Sequence, residues 1–234
     1  MKIAATKIYF LLFTIVLLQH SFAQNATGIE PLPVNTIAVR GDTSKPIVLY
    51  ITGNGGWNKF SKKLCQALAE KGYPIVSLNA TKYFWKKKTA TQTSLDITRL
   101  IRTYLLQWNC KKIMLIGYSF GAEVIPIIFN LLPADVSTKV VNISLLSPSP
   151  YTDFEIHILP IFDSSPAQSE SVIAAINKIS SKPLTLIFGK QETIFPINQL
   201  KINNYATVIL EGGHHYDKDA TKLTNAIIEH TPQY

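Results

Sequence analysis

Three groups of polar residues in this chain have the types and the spacing for acyl-transfer chemistry. Gly117-Tyr118-Ser119-Phe120-Gly121 holds a serine between two glycines, directly after the apolar run Ile113–Ile116 and directly before residues with helical spacing. This is a G-x-S-x-G pattern at a strand-to-helix junction. The sharp turn exposes the serine hydroxyl, and both glycines are needed because side chains there would meet neighbouring backbone. Glu192 lies a few residues beyond Leu184–Phe188, and His214 and His215 lie beyond Ala206–Leu210. A carboxylate can orient an imidazole, and the imidazole can take the serine proton and later give it to a leaving group. The candidates occur in the order serine, acid, histidine, each past a separate apolar run. Either of the two adjacent histidines, His214 or His215, suits the base. Asp217 competes with Glu192 as the acid, but it follows the histidines, and this chain order wants the acid before the base.

The run Ile47–Ile51 ends in Thr52-Gly53-Asn54-Gly55-Gly56-Trp57. A glycine-rich loop lets backbone approach a reacting atom, so the amides of Asn54 and Phe120 are the expected pair of oxyanion donors. The loop has neither the lysine-ended phosphate-loop pattern nor the dinucleotide G-x-G-x-x-G, and no nucleotide cofactor is expected. His214, His215 and Asp217 cluster in sequence, yet adjacent histidines rarely reach one ion, and no H-E-x-x-H or cysteine pair supports them, so no metal is expected. Tyr118, beside the serine, is a candidate substrate-binding residue. Tyr83 and Trp85 join it from Tyr83-Phe84-Trp85-Lys86-Lys87-Lys88, where rings and ammonium groups could seat a lipid headgroup. The plain alternative for this stretch is core aromatics followed by a solvated turn. Single-stranded nucleic acid uses similar features but is not the expected partner.

Positioning these groups calls for alternating strands and helices. Nearly continuous apolar runs at Ile47–Ile51, Ile75–Leu78, Ile113–Ile116, Val140–Leu146, Leu184–Phe188 and Ala206–Leu210 read as strands buried on both faces. Residues 59–71, 94–108, 121–132, 170–179 and 220–230 have helical spacing, and Thr36–Arg40 reads as an edge strand. The fold class is therefore α/β, a mostly parallel central sheet with helices on both faces. In such a sheet ligands sit at the carboxyl ends of the strands, where every candidate above falls.

The first 23 residues read as a secretory signal peptide. Lys2 and Lys7 precede the 11-residue apolar run Ile8–Leu18, and Ser21-Phe22-Ala23 offers a small-residue cleavage site. The run is short of the ~20 residues that span a bilayer, and no cysteine follows Ala23 to carry a lipid. Residues 24–234 are expected to form a single domain with its own core. Of 23 basic residues two lie in the leader, leaving 21 against 15 acidic, a net charge of +6 that favours anionic partners. Cys65 and Cys110 are expected as small buried residues rather than a disulfide.

The stretches "GNGGW" at 53–57, "YFWKKKT" at 83–89, "LIGYSFGAEVIP" at 115–126 and "GGHHYDKD" at 212–219 together resemble the bacterial virulence protein VirJ/AcvB family, a periplasmic branch of the α/β-hydrolases. The resemblance runs from Ile47 to Ile228. It implies an α/β-hydrolase fold and a secreted serine hydrolase, with Ser119 as nucleophile, Glu192 as acid and one of the histidines as base, His215 favoured over His214. AcvB-type members are associated with hydrolysis of aminoacylated phosphatidylglycerol, typically the lysyl form, and VirJ with type IV secretion. The implied partners are thus an anionic membrane surface or aminoacyl-phospholipid headgroup, and secretion-system components. The chain departs from the family pattern at Asn54, where aspartate is expected. A backbone oxyanion donor survives that change, but a role of the carboxylate does not. Two readings stand beside this one: a non-catalytic binding protein on a hydrolase scaffold, and a general esterase or thioesterase of small acyl groups. The intact serine, acid and histidine set argues against the first.

Overall fold

Strands whose every residue is buried need cover on both faces, and the chain supplies it with alternating helices. A computed structural model describes residues 31–39, 44–156 and 169–233. The expected signal peptide and the stretch between 157 and 168 lie outside the described residues. Seven strands form the main sheet: β1 (Val34–Ile37), β2 (Ile47–Ile51), β3 (Ile75–Leu78), β4 (Ile113–Tyr118), β5 (Val140–Leu146), β8 (Leu184–Gly189) and β9 (Tyr205–Leu210). Their order is β1-β3-β2-β4-β5-β8-β9, and only β1 runs antiparallel to its neighbour. Every residue of β2, β3, β4 and β8 is buried, while the edge strand β9 alternates in exposure. A two-stranded ribbon, β6 (Tyr151–Thr152) with β7 (Glu170–Ser171), stands apart from the sheet.

The helices are α1 (Lys59–Glu70), α2 (Ala80–Tyr83), α3 (Ala90–Gln107), α4 (Phe120–Phe129), α5 (Ala134–Ser137), α6 (Val172–Ile176) and α7 (Ala220–Glu229). Leu64, Cys65 and Leu68 of α1 and Leu223, Ala226 and Ile227 of α7 pack with Val48, Tyr50, Met114 and Ile116 on one face of the sheet. Leu100, Ile101 and Tyr104 of α3 meet Ile47, Leu49, Val76 and Ile113 on the other. Side chains alternate across a strand, so β2 feeds both layers from successive residues. Asn58 caps α1 by accepting from the Ser61 amide, and Thr89 with Gln92 forms a reciprocal capping box at the start of α3.

Two features of the order matter for function. From β2 the chain moves outward to β3 and then crosses to β4 on the other side of β2, so the sheet reverses its winding between β2 and β4. Crevices open at such switch points, outside the carboxyl ends of the strands. The loop from Thr52 and the turn at Ser119 flank that point. Cys65 and Cys110 are both buried and are not joined in a disulfide. Among the described residues no helix is long and apolar enough to cross a membrane.

Candidate active site

Ser119 occupies the turn between β4 and α4 with φ 51° and ψ −120°, a conformation a serine adopts only under constraint. The constraint is packing on both sides. A Cβ on Gly117 would run into the Gly121–Ala122 backbone, and a Cβ on Gly121 would run into the carbonyl of Ile51 at the end of β2. The Ser119 amide donates to the Leu146 carbonyl at 2.8 Å, which pins the turn to the end of β5.

His214 reaches the serine from the loop after β9, with Nε2 2.9 Å from Ser119 Oγ and Nδ1 2.7 Å from Glu192 Oε1. A carboxylate can only accept, so Nδ1 carries the proton and Nε2 is left to accept from the serine hydroxyl. Glu192 stands on the turn after β8. Its Oε2 accepts from Ser147 Oγ at 2.6 Å and from the Gly189 amide at 2.7 Å. Burial pushes the Glu192 carboxyl up, but the hydrogen bonds from His214, Ser147 and Gly189 outweigh it and hold the group below the usual carboxylate range. The acid is thus ionised where it must orient an imidazole.

The preference for His215 is corrected by this geometry. The bond to Ser119 Oγ is made by His214, whereas the His215 Nδ1 lies 2.5 Å from Tyr118 Oη. The same Oη donates to the His214 carbonyl at 3.0 Å. Asp217 does not take the acid position either, because its carboxylate packs against Gly212 within its own loop. Tyr118 is corrected from a substrate contact to an anchor. It is buried, and its hydroxyl ties the serine turn to the histidine loop. Tyr83 is likewise withdrawn from the substrate, for its buried ring stacks edge-on against Phe84 and its hydroxyl donates to Asp96 Oδ2 at 2.6 Å. Trp85 remains 59% exposed beside it.

The glycine-rich loop lies beside the serine. Gly53 packs directly on the Ser119 Cβ, and Gly53 to Gly56 forms a tight turn closed by the Gly56 amide on the Gly53 carbonyl at 2.9 Å. Thr81 Oγ1 donates to the Asn54 carbonyl at 2.6 Å, fixing that peptide. Phe120 is the first residue of α4, and amides of a first helical turn have no partner inside the helix. Gly53, the neighbour of Asn54, and Phe120 thus adjoin the serine.

Two supporting residues escaped the sequence reading. Ser147, itself at φ 51°, holds Glu192, and Tyr216 Oη sits 2.5 Å from Ser147 Oγ and 2.9 Å from the Ile187 carbonyl. Burial raises the Tyr216 and Tyr118 phenols far above their ordinary range, so both stay protonated donors. The available signal was positional: Ser147 directly follows an apolar strand, and Tyr216 directly follows the two histidines. Among the described residues no group of three histidine, cysteine or acidic side chains could hold a metal ion.

Residues 45–233 match the family model described as bacterial virulence protein (VirJ). The chain belongs to the VirJ family. No curated protein matches it. Among solved structures, this VirJ-family chain is similar to the Pyrococcus furiosus esterase Pf2001, at 15% identity over 85% of this chain and 93% of that one, with a TM-score of 0.57. It is also similar to MenH from S. aureus, at 13% identity over 84% and 97% of the two chains with a TM-score of 0.61. The ferulic-acid-bound Est1E of Butyrivibrio proteoclasticus matches at 17% identity over 84% and 93%, with a TM-score of 0.59. At such identities these likenesses establish the fold, and that fold is the α/β-hydrolase fold.

Proposed function

We propose that this VirJ-family protein is a serine ester hydrolase that works through an acyl-enzyme. The observation that carries the reading is the unbroken hydrogen-bonded line from Ser119 Oγ through His214 to Glu192. Ser119 Oγ attacks the ester carbonyl while His214 Nε2 takes its proton. The oxyanion forms between the Gly53–Asn54 backbone and the Phe120 amide at the start of α4. Its collapse breaks the ester C–O bond, and the departing alcohol takes the proton back from His214. Water, activated by the same ring, then releases the acid and restores Ser119.

The proposed substrate is an aminoacylated phosphatidylglycerol of the lysyl type, met at an anionic membrane surface in the periplasm after removal of the leader at residues 1–23. An aminoacyl ester offers a carbonyl to Ser119 and an alcohol leaving group. A surface net charge of +6, from 21 basic and 15 acidic residues after the leader, draws the protein to anionic headgroups. Trp85, Tyr151 and Ile194 are 59%, 52% and 79% exposed, and they follow β3, β5 and β8 at the edge where Ser119 sits. Exposed rings and aliphatic chains of this kind settle at the headgroup level. Partnership with secretion-system components is a further role proposed from the family alone.

The test is lysine release from liposomes containing lysyl-phosphatidylglycerol by the wild type and by Ser119→Ala. Release by the wild type only supports both the mechanism and the substrate. Turnover of simple esters without lysine release keeps the hydrolase and discards the lipid. Inert wild type in both assays puts a non-catalytic binding role first.

A further inference from the structure

A recess opens beside His215. It has a volume of about 360 Å³ and is lined by Asn58, Lys59, Phe60, Lys63, His215 and Lys218. Lys59 and Lys63 stand one turn apart on the first two turns of α1, so they share a face. Lys218 comes from the turn after the histidines, where Tyr216, Asp217 and Lys218 all have positive φ (51°, 51° and 62°). That strained turn carries a third ammonium group to the same recess.

Within the described chain these ammonium groups stand outside the ion pairs. Lys190, Lys222, Arg99 and Arg102 each have a carboxylate partner, but among the described residues no ion pair engages Lys59, Lys63 or Lys218. No carboxylate lines the recess. The nearby acids Glu70, Asp217 and Asp219 line the neighbouring groove, which shares Lys63 and Lys218. Of these, Asp219 pairs with Lys222 and caps α7, and Asp217 turns to Gly212. Three like charges converging on one cavity repel each other, and a bound anion relieves that repulsion. The start of α1 adds the positive end of its dipole, and no acid occupies its first turn.

The recess also connects to the chemistry. The Phe60 ring lies 4.6 Å from the Tyr118 ring and 6.1 Å from His215, and His215 lies 5.7 Å from His214. His215, which lines the recess, is thus the neighbour of the ring that touches Ser119.

We propose that the recess formed by Lys59, Lys63, Lys218 and His215 is a subsite for a phosphate anion of the substrate. An ester joined to that phosphate through its alcohol then occupies the serine and the subsite together. This deepens the ester-hydrolase reading and rests on it only for the identity of the rest of the ligand.

The test is direct binding to the full chain, read by calorimetry, with glycerophosphoglycerol as a soluble phosphodiester, inorganic phosphate as the free anion and glycerol as the uncharged control. The wild type is expected to bind the diester saturably, and the combined Lys59→Gln, Lys63→Gln, Lys218→Gln variant about tenfold or more weakly, given the strength of charge-assisted hydrogen bonds. Glycerol is expected not to bind. Tighter binding of the diester than of inorganic phosphate assigns the subsite to a lipid headgroup, and the reverse assigns it to a free phosphate. Absence of saturable binding, or equal affinity in wild type and variant, overturns the proposal. If the triple variant does not fold, the three single variants carry the same comparison, each with a severalfold loss expected. Binding is read without turnover, so an inert but phosphate-binding protein sinks the hydrolase reading alone. An active protein that ignores the diester sinks the subsite alone.

Discussion

His214 and His215 are neighbours in the chain with opposite surroundings, and the difference comes from one phenol. Tyr118 Oη donates to the His214 carbonyl and meets His215 Nδ1, which turns the first ring toward Ser119 and retains the second. His214→Ala is therefore expected to lower kcat/KM for an ester by about a thousandfold or more, as loss of a triad base does. His215→Ala is expected to cost roughly tenfold or less on a small uncharged ester, and steady-state kinetics on both variants checks the pair. Ser147→Ala removes one of the hydrogen bonds that keep Glu192 ionised. With a bond to a charged group worth about 1.5–3 kcal/mol, activity is expected to fall by at least about tenfold. The Glu192 carboxyl, no longer held as low, should also move the acid limb of the pH–rate profile to higher pH. The serine, the acid and the histidine pair were legible from sequence because each follows an apolar run. The choice between the histidines was not, since it depends on a contact between residues 118 and 215 that spacing does not encode.

At the level of elements, the apolar runs located the central strands to within a residue or two, because strands buried on both faces leave an uninterrupted signal. Helix starts were less legible. The helix expected from Ser94 begins at Ala90, where Thr89 and Gln92 form a capping box made of polar residues that hydrophobic spacing passes over. The helix expected over 170–179 divides into β7 and the short α6, since Glu170 and Ser171 pair with Thr152 and Tyr151 before Ser171 caps the helix. The β4–α4 junction carries two expectations. Gly121→Ala forces its Cβ against the Ile51 carbonyl and should destabilise the fold by roughly 2–4 kcal/mol, measured by denaturant unfolding. Glu123, in the first turn of α4, is buried, and burial pushes its carboxyl up to about 7 against the hydrogen bonds from Ser149. A carboxyl raised in the folded state binds its proton more tightly there than when unfolded. Folding stability from this group is therefore full below the ordinary carboxylate range and is lost as pH rises toward about 7. Glu123→Gln is expected to flatten that decline, gaining relative to wild type at pH values above about 7 and not in acid, as unfolding midpoints across the pH range will report.

At the scale of the whole molecule, the carboxyl edge of the sheet gathers the serine turn, the glycine-rich loop, the acid and the histidines, with exposed Trp85, Tyr151 and Ile194 on segments that leave the same edge. A protein that meets an anionic surface through that edge should bind phosphatidylglycerol vesicles more weakly as salt rises. Replacing Trp85 and Ile194 together by serine should weaken it further at constant salt, as vesicle sedimentation would show. The aromatic and lysine stretch was visible in sequence, but burial then sorted Tyr83 into the core and left Trp85 outside, a division its composition could not make. The most direct measurement is peptide mapping after exposure of the full chain to a fluorophosphonate. The expected result is a single adduct on Ser119, retained in His215→Ala, strongly reduced in His214→Ala and absent in Ser119→Ala. No adduct in the wild type, or one on another residue, would contradict the account.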